Sequence, residues 1–251
     1  MRSRRAPWTA TVLFTLMAVG CGQTSQPSRT DALDNGEAVA GTEGRDIAGV
    51  DIVASTVLVE VSGCGFAPST QGSGIMVGPD QVLASGHVVA RSDEVTVLRD
   101  GSAVAAKIVA LDHANDLALL EIDDVTNAQT ISYASPVEAV EVDVAVFRDG
   151  DVVVEPTTVT NVHPIGIQEV LGSERHTRDA LTIELVSRDG DSGGGVWTPD
   201  GRLLGVIFGH TTNPPQRGFA TSASVVEAFL DEPMPAEWVC DADRSRVVPL
   251  S

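Results

Sequence analysis

Gly74-Ile75-Met76-Val77-Gly78-Pro79-Asp80-Gln81-Val82-Leu83-Ala84 is the stretch that decides the fold class. Two short apolar runs flank Gly-Pro-Asp, where proline presets one turn dihedral and aspartate can hydrogen-bond its own backbone. Runs this short between turn residues are strands, not helices. Outward from them, Val57-Leu58-Val59-Glu60-Val61 precedes and Val95-Thr96-Val97-Leu98 follows; Arg99-Asp100-Gly101 then turns the chain into apolar segments at 103–111 and 117–122. A second series occupies 142–147, 152–154, 157–162, 181–186, 194–197, 203–208 and 218–220, with Asp149-Gly150-Asp151 and Pro199-Asp200-Gly201 as hairpin turns. Residues 124–138 are polar and suit a crossing between two halves, and 222–230 reads as one closing helix. The pattern predicts an all-β chain of two similar barrel-like halves.

The composition supports a folded body and narrows its partners. Hydrophobic residues make up 43 % and charged residues 20 %, which excludes general disorder, while an aromatic share of 4 % leaves Val, Leu, Ile and Ala to build the interior. A formal net charge of −19, with Lys107 the only lysine, repels anionic polymers and excludes a nucleic-acid partner. Residues 1–21 combine a basic start (Arg2, Arg4, Arg5), an apolar run over 8–19 and Gly20 before Cys21, the build of a secretory signal peptide. That run is shorter than the roughly 20 residues a membrane span needs. Ala18-Val19-Gly20-Cys21 resembles a bacterial lipobox, so Cys21 is expected to carry lipid and anchor the protein to the outer face of the cytoplasmic membrane or in the periplasm, with ordinary cleavage or an uncleaved anchor as the alternative because lipoboxes more often carry Leu at the place of Ala18. Residues 22–47 are Gln-, Ser-, Thr-, Asp- and Gly-rich without periodicity and read as a flexible tether. In an exported compartment the remaining cysteines, Cys64 and Cys240, are expected to form a disulfide, with a pair of buried free thiols as the alternative.

The chemistry-bearing residues start at Gly190-Asp191-Ser192-Gly193-Gly194, between two strand segments. Glycines let backbone approach a reacting carbonyl, and the amides of Gly190 and Ser192 can serve as donors to a developing oxyanion. Taken alone, the pentapeptide also fits a Gly-rich hairpin with an incidental serine. A nucleophilic serine needs a base, and the base needs a carboxylate to fix its tautomer. His87, just after segment 82–84, and Asp116, at the entrance to 117–122, are the candidates. The order along the chain is His, Asp, Ser.

Gly72-Ser73-Gly74-Ile75, Ala84-Ser85-Gly86-His87-Val88-Val89, Asp116-Leu117-Ala118-Leu119-Leu120 and Gly190-Asp191-Ser192-Gly193-Gly194 together resemble the motif series of trypsin-like serine proteases, over about residues 50–232. Spacings of 29 residues from His87 to Asp116 and 76 from Asp116 to Ser192 are similar to the bacterial HtrA-like branch. Gly205-Val206-Ile207-Phe208-Gly209 and a cysteine near each end resemble the actinobacterial periplasmic acid-resistance proteases. The resemblance implies a chymotrypsin-like fold of two six-stranded antiparallel β-barrels with a short C-terminal helix: one barrel over 48–130, the second with the closing helix over 131–240, and a tail over 241–251. It also implies a catalytic triad of His87, Asp116 and Ser192 in the cleft, an oxyanion hole of Gly190 and Ser192, and a protein or peptide substrate. Gly195 and Gly86 depart from the usual Pro and Ala. Val186 stands where an Asp would select a basic P1 residue, so an apolar P1 is expected, with Phe208, Gly209, His210 and residues 218–220 lining the pocket.

The other histidines have plainer roles: His113 in a polar turn, His163 and His176 in the second half, His210 at a pocket rim. No His, Cys, Asp or Glu cluster has zinc-ligand spacing, and Asp112, Asp116 and Asp123 do not fit a calcium loop, so no metal or cofactor is expected. An esterase elbow would read Gly-x-Ser-x-Gly in the order Ser, Asp, His, which this chain does not have. The alternative of another class is a catalytically silent surface lipoprotein that binds a peptide or envelope partner in the cleft. A protease would lose activity as pH falls toward about 6, because its histidine must be neutral to act as base.

Overall fold

The computed structural model describes residues 50–65, 67–123, 130–168, 175–185, 187–234, 236–240 and 246–249. Cys21, the expected leader and the expected tether fall outside them. β1 (Thr56–Gly63), β2 (Thr70–Met76), β3 (Gln81–Ser85), β4 (Ser92–Arg99), β5 (Ser102–Asp112) and β6 (Leu117–Ile122) close into an antiparallel barrel in the order β1-β2-β3-β6-β5-β4. Its interior is filled by alternate residues: Val57, Val59 and Val61 from β1, Val82 and Ala84 from β3, Val95 and Val97 from β4, Ala118 and Leu120 from β6. With few aromatics, β-branched side chains suit this small pleated space.

β7 (Val140–Arg148), β8 (Asp151–Gln168), β9 (Arg175–Ile183), β10 (Gly195–Trp197), β11 (Leu203–His210) and β12 (Gly218–Ser222) close a second barrel in the order β10-β11-β12-β9-β8-β7. β7 against β10 completes the ring, with Ala145 opposite Gly195. The sequence pattern separates 152–154 from 157–162, yet β8 is continuous through Pro156, which pairs with Asp143. The all-β expectation of two six-stranded antiparallel barrels is met.

Between the barrels lies a shared layer. Ile75, Leu83, Leu117 and Leu119 point away from the first barrel's interior and pack with Trp197, Leu203, Val206 and Phe229. β3 and β6 are therefore buried on both faces, which explains why their sequences are continuous apolar runs rather than alternating ones. Among the described residues, three short helices complete the fold. α1 (Ile52–Ser55) starts at Asp51, whose carboxylate accepts from the amides of Val53 and Ala54 at 3.1 Å each. α2 (Gly86–Val89) follows β3 directly, and α3 (Ala223–Asp231) buries Val226 and Phe229 in the shared layer.

β13 (Ala236–Val239) and β14 (Arg246–Pro249) form a hairpin, so the segment from 241 onward, where the sequence suggests only a tail, contains a paired strand. Cys240, directly after β13, is joined to Cys64 with a Cα–Cα distance of 5.6 Å and closes a loop of 176 residues. Removing so long a crosslink frees the unfolded chain and is worth about 2–5 kcal/mol. The double substitution Cys64→Ser with Cys240→Ser is expected to lower Tm by roughly 5–15 °C, read by calorimetry. A Tm unchanged from wild type would show that the bond contributes nothing to stability.

Candidate active site

Each element that faces the cleft brings one group. His87 sits in the single turn of α2, and its side chain is 25 % exposed. Asp116 ends the turn between β5 and β6 with φ of 57°, a left-handed conformation that aspartate tolerates better than most residues. That turn is braced by Asp112, whose carboxylate accepts from the Asn115 amide (3.0 Å) and side chain (2.7 Å). Asp116 is buried, and both its oxygens are committed to His87: Oδ1 accepts from the backbone amide and Oδ2 meets Nδ1, each at 2.7 Å. The Gly86 amide adds a bond to the Asp116 carbonyl at 2.9 Å. Ring and backbone of one residue are thus clamped to one carboxylate.

Ser192 lies in the loop from β9 to β10, within the glycine-rich pentapeptide. Gly190 and Gly193 have φ of 100° and 90°, which side chains rarely adopt. At Gly193 a Cβ would also fall 2.0 Å from the Ser73 carbonyl oxygen. The Asp191, Gly193 and Gly194 amides donate to the carbonyls of Arg188, Ile207 and Asp191. Among the described residues, the Gly190 and Ser192 amides, the Ser192 hydroxyl and His87 Nε2 have no hydrogen-bond partner. The unused groups are those that a substrate carbonyl and its attack would engage.

Cross-barrel bonds hold this loop against the histidine side. From β2, the Ser73 amide donates to the Ser192 carbonyl at 2.8 Å, and Ser73 Oγ donates to the Gly190 carbonyl (3.0 Å) while accepting from the Phe147 amide (2.9 Å). From β3, Ser85 Oγ donates to the Ile207 carbonyl at 2.8 Å, and Thr221 Oγ1 on β12 donates to the Asn115 carbonyl at 3.0 Å. Small hydroxyl side chains stitch the barrels where backbone comes close.

Asp191, between the two free amides, is 0 % exposed. Arg148, the last residue of β7, donates Nε and Nη2 to its two oxygens at 2.7 Å each, and Nη1 to Glu155 at 2.8 Å. Ser187 Oγ and the Arg188 amide complete the carboxylate shell at 3.1 and 2.7 Å. The hydrogen bond to Asp191 holds the Arg148 guanidinium above its already high range. No motif points to Arg148; the signal available in sequence is that an aspartate locked among glycines beside a nucleophile needs a buried cation.

Of the expected pocket residues, Phe208, Gly209 and His210 form the half-buried end of β11 beside the Ser192 loop. The register slips from Ile207 opposite Ala220 to Gly209 opposite Phe219, so Phe208 occupies a bulge and its ring stacks on Phe219 with centroids 6.2 Å apart. A Cβ on Gly209 would meet nothing within 4 Å, which marks open space at that wall. Val186 lies outside the described residues. His113 and His176 are half-buried and His163 is exposed.

A sequence profile of the trypsin-like peptidase domain matches residues 72–206. The serine protease Rv3671c of Mycobacterium tuberculosis is 30 % identical over 187 residues, 71 % of this chain and 47 % of that protein. A DegP-like periplasmic serine endoprotease of Rhizobium meliloti is 31 % identical over 175 residues, 65 % of this chain and 33 % of that protein. The chain spans less than half the length of these relatives. Among solved structures, the active form of the Rv3671c protease superposes with a TM-score of 0.69 at 26 % identity, covering 75 % of this chain and 84 % of that one. An inactive form gives 0.63 over 72 % and 90 %. A serine endoprotease from Yersinia pestis, at 20 % identity and a TM-score of 0.58 over 74 % and 64 %, shares the fold.

Proposed function

The chain belongs to the trypsin-like peptidase family, and on that premise we propose that it is a serine endopeptidase working through Ser192, His87 and Asp116. The observation that carries the reading is the double grip of Asp116 on His87. With Nδ1–H donated to Oδ2, Nε2 is left as the acceptor that a nucleophilic serine requires. Ser192 Oγ attacks the substrate carbonyl carbon as its proton passes to His87 Nε2. The oxygen of the tetrahedral intermediate takes its negative charge against the Gly190 and Ser192 amides. His87 then returns the proton to the leaving amine; water, deprotonated by the same nitrogen, releases the acyl group and restores Ser192. Substrate binding brings Ser192 Oγ and His87 Nε2 into hydrogen-bond contact, since catalytic bonds in unliganded sites are commonly long or unformed.

Substrate binds as an extended strand beside Phe208, Gly209 and His210, and Phe208 with Phe219 makes the adjoining wall apolar, in keeping with a P1 residue that is not basic. The names of the relatives, with the apolar leader and lipobox-like Ala18-Val19-Gly20-Cys21, support an exported protein anchored through lipid on Cys21. Among the described residues no helix is long and apolar enough to cross a membrane.

The test is labelling by a fluorophosphonate, which reacts only with an activated serine. Wild type is expected to be labelled and to cleave members of a peptide library, and Ser192→Ala to do neither. Folded wild type that is neither labelled nor active would replace this reading with a cleft that only binds.

A further inference from the structure

One charged side chain enters the interior behind the triad without an evident task. Arg178 on β9 is 2 % exposed, and its Cζ stands 4.6 Å from the centroid of the Phe208 ring. Its Nη1 lies 3.8 Å from Asp116 Oδ2, the oxygen bound to His87 Nδ1. Nε and Nη1 nevertheless make no hydrogen bond. Burial draws the guanidinium below its ordinary range, while Asp116 and then Asp112 act in the opposite sense. It remains charged, since arginine starts far above any working pH. An ion with unused donors is unfavourable in a protein interior, and an apolar side chain would stack on Phe208 without that cost. Its position beside the triad carboxylate is what a purely structural role leaves unexplained.

We propose that Arg178 is a positioning residue of the triad, a fixed buried cation that acts through Asp116 to keep His87 neutral, and so able to accept a proton, further into the acid range. The proposal rests on the triad reading above. Among the described residues, the β5–β6 turn supplies Asp116, Asp112 and the neighbouring His113, and β9 supplies Arg178 with the half-buried His176 two residues before it. β5 also carries Lys107, exposed and opposite Glu121. β2 and β3, which also pack on α2, carry no titratable side chain, and β6 carries only Glu121, exposed and at the end away from His87. β11 presents Phe208 and, two residues on at its half-buried end, the titratable His210, and β12 presents Phe219. An imidazolium is held by Asp116 and opposed by Arg178. Without the opposing charge, the carboxylate holds the proton more firmly and the base form is lost at higher pH.

The experiment is kcat/KM against pH for wild type, Arg178→Gln, Arg178→Met and Arg178→Lys, with near-ultraviolet circular dichroism at each pH to follow the fold. The two neutral variants are expected to move the acid limb up by about one pH unit. Their plateau should stay within about threefold of wild type, because a more basic His87 is the better proton acceptor once it is neutral. Arg178→Lys is expected to keep the wild-type limb. A lower plateau with an unmoved limb would overturn the proposal, and so would unfolding of both neutral variants, which would assign Arg178 to the scaffold. Wild type with no Ser192-dependent activity would remove the triad reading itself, an outcome distinct from an active wild type whose limb ignores Arg178.

Discussion

Asp116→Asn is expected to lower kcat by about 10⁴-fold while leaving the fold intact. The argument follows from which atoms the carboxylate engages. Oδ1 accepts from the His87 backbone amide and Oδ2 faces Nδ1, so both oxygens act as acceptors. An asparagine can keep only one of them. If its oxygen stays on the backbone amide, its NH₂ faces Nδ1 and donates to it, which moves the ring proton to Nε2. His87 then points a donor at Ser192 and cannot take the hydroxyl proton. Burial argues for this arrangement over the flipped one: the amide N–H of His87 needs an acceptor in a site where Asp116 is 6 % exposed. KM should change little, because the substituted atom faces away from substrate, so the loss appears in kcat. A single-turnover measurement with an activated ester separates acylation from release, and both steps are expected to slow, since each needs Nε2 of His87 as the base. A variant within tenfold of wild type would show that Asp116 does not set the tautomer of His87.

The fold class was legible because its signal is local: short β-branched runs and Gly-, Pro- and Asp-bearing turns report strands whatever lies across the sheet. The three residues of the proposed triad were legible for a similar reason, each lying in a short stretch whose glycines and flanking strand segments are visible in the chain. Arg148 and Arg178 were not. Each acts across the fold, Arg148 on a carboxylate 43 positions away and Arg178 on Asp116 from the opposite barrel, and an arginine in a strand gives no periodic sign of being buried. The Pro156 region misled in the opposite sense, since a proline in an apolar segment argues for a break and β8 continues through it. Ser73 and Ser85 belong to recognisable stretches, but their cross-barrel bonds depend on how two closed barrels meet, which neither stretch contains.

Arg148→Met is the substitution expected to cost most in stability. It would leave the Asp191 carboxylate at 0 % exposure with only Ser187 Oγ and the Arg188 amide as donors. Breaking a buried pair from one side costs about 3–5 kcal/mol, because the remaining charge has neither water nor partner. For a body of this size that corresponds to a Tm lower by roughly 6–20 °C. The loop has two ways to relax: Asp191 can take up a proton, or it can turn outward and carry Gly190 and Ser192 with it. The second displaces the two free amides, so kcat should fall by about 10²–10³-fold, the range for losing one oxyanion donor. Arg148→Met combined with Asp191→Asn separates charge from shape. With the carboxylate gone, the double variant should regain most of the lost stability, measured by calorimetry, while activity stays low because the two-point fork no longer holds the loop. Additive losses in the double variant would mean that the two side chains stabilise the barrel independently and that the ion pair does not place the oxyanion donors.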